Sequence, residues 1–278
     1  RKAFSKRLDL RHHGIGDKMC LILTESIRQM PYLQSLIVQD NNLTDASLGP
    51  LVQALVKMPN ILEVDISNNI VGDLASNTLS NYLSNPECPI IKLVMQSADV
   101  DDFECARFVL ALQNNPSSKL QELDLTRNLL GAAEELNTVM PELVTAGEAF
   151  AELLENENCG LTKLEISWNM IRGESAETFA DAVSVNTSLT YLDLSYNAMG
   201  KSGGQRLGQA LIENKTLKYL DVSSNNLDPT ACFSISVGLI ENTHVRRLKI
   251  DGNPIGKLGA KALMQARAAQ TQRRADLP

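Results

Sequence analysis

The side chains best suited to chemistry are scarce in this 278-residue chain: three histidines, five cysteines and a single tryptophan. His12 and His13 adjoin, and His244 lies near the other end. No His-Glu-x-x-His, Cys-x-x-Cys, Gly-x-Ser-x-Gly or phosphate-loop pattern occurs, so the spacing supports neither metal-assisted hydrolysis nor nucleophilic catalysis. Gly203–Gly204 opens a helix but lacks a following Lys-Ser/Thr, and reads as a packing and capping feature. The cysteines are odd in number and without metal-ligand spacing. Cys20, Cys105 and Cys232 fall on inward helix positions, while Cys88 and Cys159 lie in loops and are the two candidates for reactivity. Unpaired thiols fit a reducing compartment, so a cytoplasmic setting is expected, with nucleus or cilium left open. No catalytic residue, metal, cofactor or small-molecule substrate is expected.

What remains is recognition chemistry, and its elements recur at a fixed period. Asn41, Asn69, Asn128, Asn169, Asn197, Asn225 and Asn253 each sit in the frame L-x-x-L-x-L-x-x-N-x-L, clearest from Leu120 to Leu130 and from Leu189 to Met199. The frame starts at Ser5, Leu33, Ile61, Ile90, Leu120, Leu161, Leu189, Leu217 and Val245, with spacings of 28, 28, 29, 30, 41, 28, 28 and 28. Each unit opens on a short alternating run such as Leu217–Val222, which predicts a strand. Upstream of each strand lie apolar residues at helical spacing, for example Ala176, Phe179, Ala180 and Val183. Strand, loop and helix therefore repeat nine times, and stacking bends the array with the strands inside. The Asn side chains are expected to satisfy backbone groups at the turn leaving each strand.

The frame, the 28/29-residue period, the Leu-Asp-Leu-Ser-x-Asn phrase and the Asn-x-Ser/Thr-Leu helix endings resemble the ribonuclease-inhibitor-like leucine-rich repeats. That subfamily includes the repeat domain of Ran GTPase-activating protein and the sensor regions of NOD-like receptors. The resemblance runs from about residue 4 to 267 and implies an α/β leucine-rich repeat solenoid: a right-handed horseshoe arc, parallel sheet concave and helices convex. Ser5, His13, Ala98 and the expanded fifth unit depart from the pattern. One domain is expected over 1–278, with an insertion at 132–146 and a C-terminal tail at 268–278. The chain opens almost directly on a strand, so it is expected to be a fragment of a longer protein. The family implies a surface for a protein partner and uses that scaffold for unrelated partners.

Placed in the frame, four aromatic residues gather on three consecutive strands: Trp168 and Tyr196 share one position, Tyr191 and Tyr219 another. All four are expected on the concave face, where the core does not need them. They can anchor a partner, with Arg127, Lys163 and Asp193 setting its orientation, or they can stack on one another to stiffen the strands. Asp9, Asp65, Asp124, Glu165, Asp193 and Asp221 form an acidic column beside them. The simpler reading is carboxylates that are solvated or paired with neighbouring Lys and Arg, since Arg127 and Lys163 stand close enough to pair; the sharper one is a docking track for a basic partner.

A net charge of −7 argues against nucleic acid, and no apolar run is long enough to span a bilayer. The sequons at Asn42, Asn186 and Asn214 read as turn and capping residues. A non-enzymatic interaction module is the preferred function. A GTPase activator of the Ran-directed type is one alternative, although the basic ending Gln270–Ala275 differs from the acidic tail typical of those members. A structural component of a cytoskeletal or ciliary assembly is another. The fourth unit, with Met95, Ala98 and Asp101 at frame positions, is expected to be the weakest joint.

Overall fold

A computed structural model describes residues 6–135 and 144–275. Its nine three-residue strands are β1 Arg7–Asp9, β2 Ser35–Ile37, β3 Glu63–Asp65, β4 Lys92–Val94, β5 Glu122–Asp124, β6 Lys163–Glu165, β7 Tyr191–Asp193, β8 Tyr219–Asp221 and β9 Arg247–Lys249. They form one parallel sheet in sequence order, open at both edges. The helices that return the chain are α1 Gly16–Ile27, α2 Asp45–Leu55, α3 Asp73–Leu83, α4 Asp102–Gln113, α5 Ala146–Glu155, α6 Gly173–Val185, α7 Gly200–Glu213, α8 Pro229–Glu241 and α9 Gly256–Ala275. Leu123, Leu164, Leu192 and Leu220 pair in register and are buried. Opposite them, Phe108, Phe150, Phe179, Leu207 and Ile235 line the inner helix faces, and Phe150 meets Phe179 edge to face at 6.4 Å. The core is thus a continuous slab between sheet and helices, to which every unit adds one aliphatic layer, a leucine except at Val64. Helices α7 and α8 approach closely at Gly208 and Gly238, where an added Cβ would collide with the neighbouring helix backbone.

Three hydrogen-bond ladders tie unit to unit. In the first, the Asn169 amide donates to Leu125 O (3.0 Å) and Ile166 O (3.1 Å). Its Oδ1 accepts from Asn128 N (3.1 Å) and Leu130 N (3.2 Å). Asn41, Asn69, Asn128, Asn197, Asn225 and Asn253 repeat the arrangement. In the fourth unit Ala98 is buried in the ladder position, and Val71 N donates to the Ala98 carbonyl instead of a side chain.

A second ladder runs along the helix ends. Asn115, Asn186, Asn214 and Asn242 are buried and reach back to the preceding unit, as when the Asn186 amide donates to Leu154 O at 2.9 Å. Two of the three sequons are therefore interior structural residues. Residues 268–275, expected as a tail, continue α9. There Gln270 is buried and donates to Asn242 O at 2.6 Å, closing this ladder from the last helix.

The third ladder is acidic. Asp17 bonds Thr44 and Ser47, Asp45 bonds the backbone of Leu74 and Ala75, and Asp102 accepts from Gly131 N, Ala133 N and Ala146 N at 2.7–2.8 Å. Asp102 thereby joins both roots of the fifth-unit insertion. Ala132–Glu135 forms a short 3-10 turn, and residues 136–143 of the expected insertion lie outside the described residues.

Cys88 is corrected by the fold. It is buried rather than reactive, because the loop before β4 turns inward, and burial raises its thiol above the ordinary cysteine range. Cys20, Cys105 and Cys232 are buried as expected, and Cys159 is partly exposed.

Candidate functional site

The concave side of the sheet carries a polar hollow of about 780 Å³ that reaches from Asn68 in the third unit to Gly252 in the ninth. Trp168, Tyr196, Arg127 and Asp193 line it; Tyr191, Tyr219 and Lys163 stand beside it on the strands. Trp168 and Tyr196 belong not to strands, as the sequence suggested, but to the turns leaving β6 and β7. There the residue before the ladder Asn adopts a left-handed backbone: φ is 58° at Arg127 and 55° at both Trp168 and Tyr196. This conformation is uncommon for bulky side chains. His12, Asp40, Asn68, Ser97 and Ser224 share it, even where His13 and Ala98 follow in place of Asn, so it belongs to the turn of the repeat rather than to any one side chain.

Two stacks result. The Trp168 and Tyr196 rings lie 3.9 Å apart with planes 10° from parallel, and the Arg127 guanidinium sits 5.1 Å from the Trp168 ring centre. The Tyr191 and Tyr219 rings lie 4.1 Å apart and 1° from parallel, flanked by Lys163 at 4.9 Å and Lys249 at 5.5 Å. Mutual stacking, one of the two readings of the aromatics, is thus present. It leaves Trp168 46% and Tyr196 44% exposed on the hollow. Arg127 was expected to neutralise the acidic column. It lies over the indole instead, with no ion pair among the described residues, because its left-handed turn points it along the column.

The carboxylates differ in how well they are balanced. Lys163 pairs with Glu165 at 2.7 Å, and Lys249 pairs with Asp221 at 3.0 Å. Burial would raise Asp221, but bonds from Ser223 and Lys249 outweigh it and hold the carboxyl below its ordinary value. Asp193 is raised, first by burial and then by the charge of Asp221. It accepts from Ser195 N at 2.9 Å and has no ion pair among the described residues. Glu165 is raised by burial and by Asp124 and Asp193, despite its lysine. Burial also lifts the Tyr191 hydroxyl above its ordinary range, with Tyr219 adding to it. The site therefore holds aromatic surface, one free guanidinium edge and an excess of negative charge centred on Asp193. No group of three or more His, Cys, Asp or Glu among the described residues is placed to hold a metal, and none of their helices is long and apolar enough to cross a membrane.

A Leucine Rich repeat family model matches residues 29–52, 157–180, 185–208, 213–236 and 241–264. Pig (Sus scrofa) ribonuclease inhibitor is 28% identical over 156 residues, covering 56% of this chain and 33% of that protein. Ribonuclease inhibitor from Mus musculus is 32% identical over 127 residues, covering 45% and 27%. The chain is a ribonuclease-inhibitor-like leucine-rich repeat protein. Like other such repeat proteins it has relatives built into larger chains. The NACHT, LRR and PYD domains-containing protein 5 of Mus musculus is 30% identical over 159 residues, covering 57% of this chain and 13% of that one. The repeat protein thus spans a third or less of the length of these relatives.

The sequence missed the inter-unit carboxylates Asp17, Asp45 and Asp102, which look like ordinary first-turn acids. Their signal was the 28-residue spacing of Asp17 and Asp45.

Proposed function

We propose that this leucine-rich repeat chain is a non-enzymatic interaction module that grips a protein partner in its concave hollow and along the adjoining strand-to-helix rim. The observation that carries the reading is the half-exposed Trp168–Tyr196 stack on the hollow. Large amphipathic rings held rigid by their neighbours lose little entropy on binding and bury much area, the property that makes Trp and Tyr frequent binding hot spots. Arg127 and Lys163 on one side and Asp193 on the other set orientation by charge, with Tyr191 and Tyr219 as a second contact strip. The neighbouring family members named as inhibitors of ribonuclease support a role in engaging another protein. Five free cysteines, four of them buried, fit work in a reducing compartment.

The test is differential capture from a cell extract on immobilised wild type, Trp168→Ala and the convex-face control Phe233→Ala, followed by the dissociation constant of each recovered protein. A partner retained by wild type and the control but lost by Trp168→Ala supports the concave site. Partners lost only by convex-face variants would replace it with an outer-surface scaffold.

A further inference from the structure

The two stacks end differently. Tyr191 and Tyr219 are closed by an ammonium at each end, from Lys163 and from Lys249. Trp168 and Tyr196 are closed only at the Trp168 end, by Arg127. Beyond Tyr196 the same turn position is held by Ser224 and then Gly252, whose side chains are too short to cover a phenol ring. Asp193 and Asp251 line the hollow with them, and Asp221 is already occupied by Lys249. The outer face of Tyr196 therefore opens on a hollow lined by three carboxylates, Asp193, Asp221 and Asp251, against the two cations Arg127 and Lys249, while the remaining ring ends of both stacks meet a cation.

We propose that the outer face of Tyr196, bordered by Ser224, Gly252, Asp193 and Asp251, is the seat of an arginine side chain carried by the protein partner. The proposal rests on the concave-face reading above and names the chemistry that face selects. A guanidinium can lie flat on the ring while its planar fork of N–H groups reaches carboxylates on either side; an ammonium can meet a ring and one carboxylate, as Lys163 and Lys249 do here, but it is a compact, strongly hydrated point charge with no plane to stack. Arg127 on Trp168 is the same contact made within the chain. A basic, arginine-bearing segment is thus the matching occupant, and the net charge of −7 favours its approach.

Trp168 is the only tryptophan, so its fluorescence reports from inside the stack. Hexa-arginine and hexa-lysine peptides are titrated into wild type, Tyr196→Ser, Asp193→Asn, Ser224→Arg and the control Phe233→Ala, each checked for native melting. Ser224 has φ of 53°, matching the 58° of Arg127, so the new arginine fits that backbone and fills the seat from within. Hexa-arginine should bind wild type and the control roughly five-fold more tightly than hexa-lysine. That preference should vanish in the other three variants. Equal affinities for the two peptides in wild type, or an undiminished arginine preference in folded Ser224→Arg, overturns the seat. If the peptides discriminate but Trp168→Ala keeps the native partner, the seat stands and the concave-face reading falls. If Trp168→Ala loses the partner while the peptides do not discriminate, the reading stands and the seat falls.

Discussion

Asp102, at the start of α4, holds the two roots of the fifth-unit insertion together, accepting from Gly131 N at 2.8 Å and from Ala146 N at 2.7 Å. These residues are fifteen apart in sequence by their numbers and would otherwise end on unpaired backbone donors in a buried place. Asp102→Ala should cost roughly 1.5–3 kcal/mol, the range for hydrogen bonds to a charged acceptor. Amide exchange should accelerate at Gly131, Ala133 and Ala146 while the last three units keep their protection. Unchanged exchange at those amides would remove the carboxylate from this role.

The Asn ladder predicts a graded response. Asn169→Ala leaves the buried N–H groups of Asn128 and Leu130 without their acceptor and takes one of two ladder donors from the Leu125 and Ile166 carbonyls, so urea unfolding should show a loss of roughly 2–4 kcal/mol. At Ala98 the chain already lacks that side chain, and a backbone bond from Val71 to its carbonyl makes good only part of the loss. Exchange around residues 93–101 should accordingly be faster than in the sixth to eighth units. Uniform protection along the sheet contradicts this.

A pH effect should come from the α4 capping box. Burial, followed by the bond with Asp101, raises the Glu104 carboxyl to about 7. A carboxyl raised on folding binds more protons in the folded state than in the unfolded one between its two pKa values. Stability from Glu104 is therefore present at acid pH and lost as pH rises from about 4.5 to about 7. Glu104→Gln keeps an acceptor for Asp101 N and removes the titration. Its stability should decline less than wild type over that window, and parallel pH profiles would refute the assignment.

Thiol labelling offers a simpler check. Cys159 alone is partly exposed, and burial raises the thiols of Cys20, Cys88, Cys105 and Cys232. In native buffer one thiol per chain should react quickly with an aromatic disulfide reagent, with the other four following only on unfolding. Rapid reaction of Cys88 would mean that the loop before β4 opens.

The sequence made the solenoid legible because its signals repeat: one leucine frame and one helical face in each unit, with an asparagine in seven of the nine. Single-copy features carried less. The left-handed turn that aims Arg127 at Trp168 rather than at a carboxylate is a backbone property, and neither residue type suggests it. Asp17, Asp45 and Asp102 look like acids at helix starts, yet each reaches into the following unit. Asn186 and Asn214 were readable as turn residues, but their bonds to the preceding unit depend on stacking distance. Gln270 was hidden because α9 runs on where a tail was expected. At the candidate site the residue types were visible, and the division into one stack closed by cations at both ends and another closed at one was not.

The central claim is tested most directly by measuring melting temperature and partner dissociation constant on Trp168→Ala. The indole fills no core space, so folding should lose only the stacking with Tyr196 and Arg127, about 0.5–1.5 kcal/mol. Binding to the partner recovered by capture should weaken by about 2 kcal/mol or more, some thirty-fold in dissociation constant. An unaltered dissociation constant accompanied by a lowered melting temperature would show that the rings only stiffen the sheet, and would contradict the account.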